Sequence, residues 1–243
     1  MNATSPTRSL AGRTLFVTGA TRGIGLAIAV RAAKDGASVA FIGKTETAHP
    51  KLPGTIHDAA RAIESAGGRA LPIACDLRDE LAVEAAVAAT VGRFGGIDIL
   101  VNNASAISLT GTLDTPPKRF DLMLGVNARG TYVASRACLP HLIAAAKSGR
   151  NPHVLTLAPP PTLDPKWYRD HVAYTLAKVG MSLVTLGMAE EFRDLGVAFN
   201  GLWPRTVIAT AAVAMIPGVD RKMCRKPEIL ADAALAILKR DSR

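Results

Sequence analysis

Short apolar runs alternate with longer amphipathic ones along this chain. Strand-like runs fall near 14–18, 38–43, 70–75, 98–102, 153–157 and 197–203. Helical runs fall near 24–34, 56–66, 80–93, 118–147, 172–194 and 228–238. The first strand-like run, Thr14–Thr18, is β-rich and carries little charge, which suits a strand buried on both faces. Strand–helix alternation at these lengths predicts right-handed βαβ units and an α/β fold, a doubly wound parallel sheet with helices on both faces. The expected strand order is 3-2-1-4-5-6, with the site outside the strand C-terminal ends where that order reverses. A chain of 243 residues suits one such domain over 1–243, led by a short flexible tail at 1–10. The run Pro159-Pro160-Pro161 ends the fifth strand in a stiff loop, because proline cannot continue the ladder.

Two motifs give this framework chemistry. The first strand runs into Gly19-Ala20-Thr21-Arg22-Gly23-Ile24-Gly25 and then into a helix. In a strand–turn–helix setting Gly19 permits the tight turn, Gly23 lets backbone approach a pyrophosphate, and Gly25 allows helix and strand to pack closely. The helix N-terminus supplies unpaired N–H groups for the phosphates. The second motif is Tyr174 four residues before Lys178 in an apolar helical stretch. Spacing i,i+4 puts both side chains on one helix face. A phenol titrates near pH ~10, and an adjacent ammonium stabilises the phenolate and lowers that value.

Taken in order, Thr18-Gly19 to Gly25, Asn102-Asn103-Ala104, Asn127 and Tyr174-x-x-x-Lys178 resemble the signatures of the short-chain dehydrogenase/reductase family. The resemblance covers essentially the whole chain and implies the Rossmann fold. A closer likeness lies in Lys44–Ile56, Leu113–Pro116, Gly187–Phe192 and Trp203-Pro204. These segments are similar to the branch of hydroxysteroid dehydrogenase-like and citronellol/citronellal dehydrogenases. The longer relatives in that branch carry a sterol-carrier domain, for which a chain of this length leaves no room. Family members also continue into a seventh strand after the last helix, whereas this sequence ends at Arg243. Two alternatives follow: a six-stranded sheet, or a tail beyond this sequence.

The resemblance also implies roles. Tyr174 acts as general acid or base, a contribution worth roughly 10²–10⁴-fold. Lys178 holds the nicotinamide ribose and depresses the Tyr174 pKa, while Asn127 positions a water that relays protons from Lys178. Asp76 caps the adenine amino group with Leu77 beside it, Asn102, Asn103 and Ala104 pass along the adenosine ribose, and Pro204 and Thr206 approach the carboxamide. Thr21, Arg22 and Ile24 line the phosphate turn. Where NAD-specific sites close the second strand with an acid, this chain has Gly43-Lys44, and Arg22 can reach the same corner. Two cations suit a 2′-phosphate, so NADP(H) is favoured over NAD(H). A serine is expected after the fifth strand, yet the possible registers offer Ala158 or Pro159. Losing that donor costs ~10²–10³ in rate unless Thr156 or Thr162 substitutes.

Charge and cysteine content narrow the classes further. The net charge of +9 is spread along the chain, and aromatic residues are sparse, which argues against a nucleic-acid platform. No run approaches the ~18 uninterrupted apolar residues of a membrane span, and no signal-peptide pattern opens the chain. Three scattered cysteines, without metal spacing, suit reduced thiols in a cytoplasmic protein. The apolar segment Val207–Ile216 reads either as a lid ended by Pro217-Gly218, which favours a small apolar carbonyl or alcohol substrate, or as a packing helix. The resemblance implies a homodimer or homotetramer built on the helices at 118–147 and 172–194. Two functions are therefore weighed: an NADP(H)-dependent oxidoreductase, and a catalytically impaired cofactor-binding sensor or interaction protein.

Overall fold

A computed structural model describes residues 9–48, 54–215 and 220–242. Six parallel strands form one sheet: β1 (Thr14–Thr18), β2 (Ser38–Gly43), β3 (Arg69–Ala74), β4 (Ile99–Asn102), β5 (His153–Thr156) and β6 (Ala198–Gly201). Their order is β3-β2-β1-β4-β5-β6, as the alternation predicts, and the described residues add no seventh strand. Pro72 sits in β3 at the sheet edge, where a missing N–H leaves no gap in the ladder.

Side chains alternate between two buried clusters, which is why the strands read as continuous apolar runs. Leu15, Val17, Val39, Phe41, Val101 and Leu155 face one cluster, covered by α1 (Gly23–Lys34), α2 (Ile56–Ser65) and α7 (Glu228–Leu238). Phe16, Ala40, Ile42, Leu100 and Val154 face the other, covered by α3 (Glu80–Phe94) and α5 (Gly130–Lys147). Helix starts follow local chemistry. Thr55 and Asp58 form a reciprocal capping box on α2, and Asp79 accepts the Ala82 N–H at 3.1 Å on α3. Gly95, at φ +85°, closes α3 in the left-handed conformation.

The one element that departs from the expected pattern is the helix at 118–147. It divides into α4 (Pro117–Leu124), a π-helical turn over Gly125–Arg129, and α5. The helix expected at 172–194 is α6 (Val172–Glu191), followed by a short 3-10 turn at 193–195. By length and composition α6 could cross a bilayer, but here it packs against α4 and β6 and carries the buried Lys178. Residues 1–8 of the expected tail lie outside the described residues. Beyond them the chain is anchored: Leu10 is buried, and its N–H donates to Asp35 at 2.7 Å. The segment from Val207 is also fastened, because the Ala209 N–H donates to the Arg225 carbonyl at 2.8 Å and the Arg225 N–H donates to the Val207 carbonyl at 2.9 Å, a bridge centred on Ile208. Ile216–Gly218 of the expected lid fall outside the described residues.

Candidate active site

The glycine turn after β1 is shaped by contacts that exclude side chains. Gly19 has φ +71°, and a Cβ there would lie 2.8 Å from the Ala104 Cα. A Cβ on Gly25 would lie 2.4 Å from the Asn103 amide nitrogen and 2.6 Å from the Gly19 carbonyl. The turn is stitched to the loop after β4. Thr18 Oγ1 accepts the N–H groups of Asn103 (3.0 Å) and Ala104 (3.1 Å), and Asn103 Nδ2 donates to the Thr18 and Gly19 carbonyls. Asn102, expected beside the ribose, instead ends β4 with its side chain buried and donating to Ser135 at 3.0 Å. One residue of parity along the strand decides this, since neighbours point to opposite faces.

Helix α1 starts at Gly23 with no side-chain cap from Arg22 and no acid in its first turn. Its open N–H groups face a cleft of about 530 Å³. Gly19, Thr21, Arg22, Gly23 and Ile24 form one wall; Lys44, Asp76, Leu77, Asn103 and Ala104 also line it. An uncapped N-terminus with no room for side chains suits a phosphate group. Pro204 and Thr206 are not in this lining, nor are Tyr174 and Lys178, while Thr210, Ala211 and Ala212 are. A larger cavity, about 800 Å³, opens beside β6 and the ends of α5–α7 and includes none of the expected site residues.

At the adenosine end the charges pair among themselves. Lys44 donates to Asp76 at 3.0 Å, and Arg78 grips the same carboxylate with Nη2 at 2.6 Å. The Arg78 guanidinium, and less strongly Lys44, hold Asp76 well below the usual carboxylate range. Asp76, expected to cap an adenine amino group, lines the cleft with its carboxylate engaged by both cations. Arg22 Nη2 donates to Thr45 Oγ1 and the Gly54 carbonyl, both at 3.0 Å, while its buried Nε has no partner among the described residues. Arg78 was not anticipated; a cation two residues after an acid at the end of β3 was the available signal.

The residues expected to be catalytic lie on α6 and the π turn. Burial raises the Tyr174 phenol above its ordinary value. Lys178 does not lower it: its Nζ donates to the Leu157 carbonyl at 2.6 Å and meets Met181 Sδ at 3.2 Å. Spacing i,i+4 fixes a shared face but not the direction of a long flexible side chain. Asn127, fully buried in the π turn, accepts the Ala106 N–H at 2.7 Å and donates to the Ala106 carbonyl at 3.0 Å. Its amide thus clamps the loop beyond β4 through one bond at each of its polar atoms. Asn127→Ala should cost ~1–3 kcal/mol by leaving both Ala106 groups unpaired, read as lost amide-exchange protection at Ala106.

At the position expected for the serine the chain carries Ala158, and the two threonines that could substitute have partners of their own. Ala158 is buried, Thr156 Oγ1 accepts from Thr185 at 2.9 Å, and Thr162 Oγ1 accepts the Asp164 N–H at 3.1 Å.

A parallel sheet whose order reverses at β1/β4, with the uncapped start of α1 after β1, is the doubly wound arrangement of dinucleotide-binding folds. The short chain dehydrogenase family model matches residues 13–217, and the chain belongs to that family. Hydroxysteroid dehydrogenase-like protein 2 of Danio rerio is 59% identical over 234 residues, which cover 96% of this chain and 55% of that protein. The chain thus spans about half the length of the curated relatives it matches. A crystal structure from Xanthomonas campestris superimposes with TM-score 0.93 and 66% identity, covering 97% of this chain and 85% of that one. A metagenomic short-chain oxidoreductase solved with NADP gives TM-score 0.79 at 29% identity, covering 97% of this chain and 94% of that one. A 3-ketoacyl-(acyl-carrier-protein) reductase of Brucella melitensis, solved with NADH, gives TM-score 0.79 at 28% identity, covering 93% and 90%. Similar structures therefore hold a nicotinamide cofactor in either form.

Proposed function

We propose that this chain is an NADP(H)-dependent oxidoreductase that interconverts an apolar alcohol and its carbonyl. The observation that carries this reading is the uncapped start of α1 against a glycine turn with no space for side chains. Gly19, Gly23 and the α1 N-terminus would hold the pyrophosphate, Arg22 and Lys44 the 2′-phosphate, and Lys178 the nicotinamide ribose. The unpartnered Nε of Arg22 supports a second anionic contact at that corner. When bound, the nicotinamide supplies or accepts the hydride. Tyr174 Oη then gives a proton to the carbonyl oxygen in reduction and takes it back in oxidation. Its raised pKa keeps the phenol protonated at neutrality, which suits the donor role.

Apolar side chains on the loops beyond β4 and β6 support the substrate class. Leu109, Trp203 and Val207 are all exposed there. Leu176, Leu183 and Leu186 on α6, with Tyr132 on α5, are also exposed and are proposed as a contact between copies of the chain, as a homodimer or homotetramer. Free Cys75, Cys138 and Cys224 agree with a cytoplasmic setting. The proposal assigns no nucleic-acid or membrane partner.

A second reading, a catalytically impaired cofactor-binding protein, is favoured by one observation: both candidate threonine hydroxyls are engaged away from the site. The deciding experiment is thermal stability with NADP⁺ or NAD⁺ at matched concentrations. A ligand present at 100 times its Kd adds ~2.7 kcal/mol. NADP⁺ is expected to stabilise more, and Arg22→Ala to cut that preference about 10-fold, the loss of one charge-assisted hydrogen bond. Equal stabilisation by both nucleotides would sink the cofactor assignment.

A further inference from the structure

Lys178 is a buried ammonium without a counter-ion. Its relative exposure is 4%, and among the described residues no carboxylate lies within ion-pair distance of its Nζ. An isolated buried cation is costly, so whatever compensates it fixes where it sits. Three groups do so: the Leu157 carbonyl at 2.6 Å, the Met181 thioether at 3.2 Å, and the Trp203 ring, whose centroid is 5.4 Å away. Met181 belongs to α6 itself, and a thioether is a weak acceptor. The carbonyl and the ring come from two different loops, beyond β5 and beyond β6. Trp203 remains 40% exposed, so burial of the indole alone does not account for its position.

We infer that Trp203 is a positioning residue, whose indole face holds the Lys178 ammonium against the Leu157 carbonyl and thereby governs Lys178 as the partner of Tyr174. This deepens the oxidoreductase reading and rests on it. A cation over an indole face is stabilised mainly in its charged form. Burial draws Lys178 down to about 7, so a modest change in that stabilisation alters its charge at neutrality. Under the oxidoreductase reading, Tyr174, one turn earlier on α6, is the residue that Lys178 would serve in turnover. Charged residues on the surrounding elements do not contact Lys178. Arg129 in the π turn pairs with Glu80, Arg136 on α5 with Glu84, and Asp121 on α4 and Arg205 beyond β6 make no contact with Nζ.

The test is NMR of the whole chain labelled with ¹³C at the lysine ε-carbons and recorded without nucleotide, with Lys178→Met identifying the Lys178 signal. In the native chain the ε-protons should show an upfield ring-current shift and titrate near pH 7. Trp203→Leu should abolish that shift and lower the midpoint by about one pH unit. Trp203→Phe should retain most of both. In turnover, Trp203→Leu should move the alkaline limb of kcat down by the same amount. A Lys178 signal with the same shift and midpoint in Trp203→Leu would overturn the inference. If the leucine variant fails to fold, loss of the ring-current shift in Trp203→Phe overturns it instead. Because the spectrum is read without nucleotide, absence of turnover would count against the oxidoreductase reading and leave the Trp203–Lys178 result standing.

Discussion

Tyr174→Phe is expected to reduce turnover by ~10²–10⁴-fold while leaving stabilisation by NADP⁺ unchanged. The substitution removes one hydroxyl and keeps the ring, so the packing of α6 is preserved. What disappears is the group that moves a proton to or from the substrate oxygen. Thr156 and Thr162, the two hydroxyls expected to substitute, are each held in hydrogen bonds of their own. The measurement is kcat for an apolar aldehyde or ketone, paired with thermal shifts on the same preparation. A variant that keeps native turnover would remove Tyr174 from the chemistry. A native chain that binds NADP⁺ but turns over nothing would favour the impaired cofactor-binding protein.

The second large effect concerns stability and pH. Lys178 is shifted by desolvation from 10.5 to about 7 in the folded chain. Between those values the unfolded chain binds a proton that the folded chain does not, so stability rises with pH. The slope from one group is at most ~1.4 kcal/mol per pH unit. Cys75, raised from 9.0 to about 11 by burial and then by Asp76 and Asp79, acts in the opposite sense once its unfolded thiol begins to ionise. Cys138, also raised by burial, acts in the same direction as Cys75. The clean window is therefore pH 7 to about 8.5. Lys178→Met should flatten the rise of urea-unfolding stability across that window. It should also raise stability at pH 7, because an apolar side chain of similar length fills the site without a buried charge. Parallel pH profiles for the two chains would refute this account.

Much of this architecture was legible because it depends on patterns that survive in one dimension. Apolar runs without alternation marked buried parallel strands, and Gly19, Gly23 and Gly25 marked the turn because no other residue fits there. The misses share a different cause. The π turn at 125–129 leaves no compositional mark, since its i→i+5 bonding is a property of the ladder and not of residue type. Asn102 and Asn103 look equivalent in sequence, and only strand parity separates them. The engagement of Asp76 by Arg78 depends on a tight turn after β3, and the direction of Lys178 on a rotamer that spacing alone does not choose. Beyond β6 no period guides a reader, and the approach of Thr210–Ala212 to the cleft left no mark in the sequence.

The π turn also bears on the geometry of everything upstream of it. Each residue of an α-helix advances about 100° around the axis, so a turn that accommodates one residue more than the α ladder offsets α4 from α5 by that angle. The apolar stripe of 117–147 is therefore two stripes out of phase, one serving the contact of α4 with α6 and the other the contact of α5 with α3. Asn127 sits at the step between them, which lets a single continuous rod answer to two neighbours at once. A helix of uniform pitch with the same residues would satisfy one of those neighbours and turn the other's apolar face toward water.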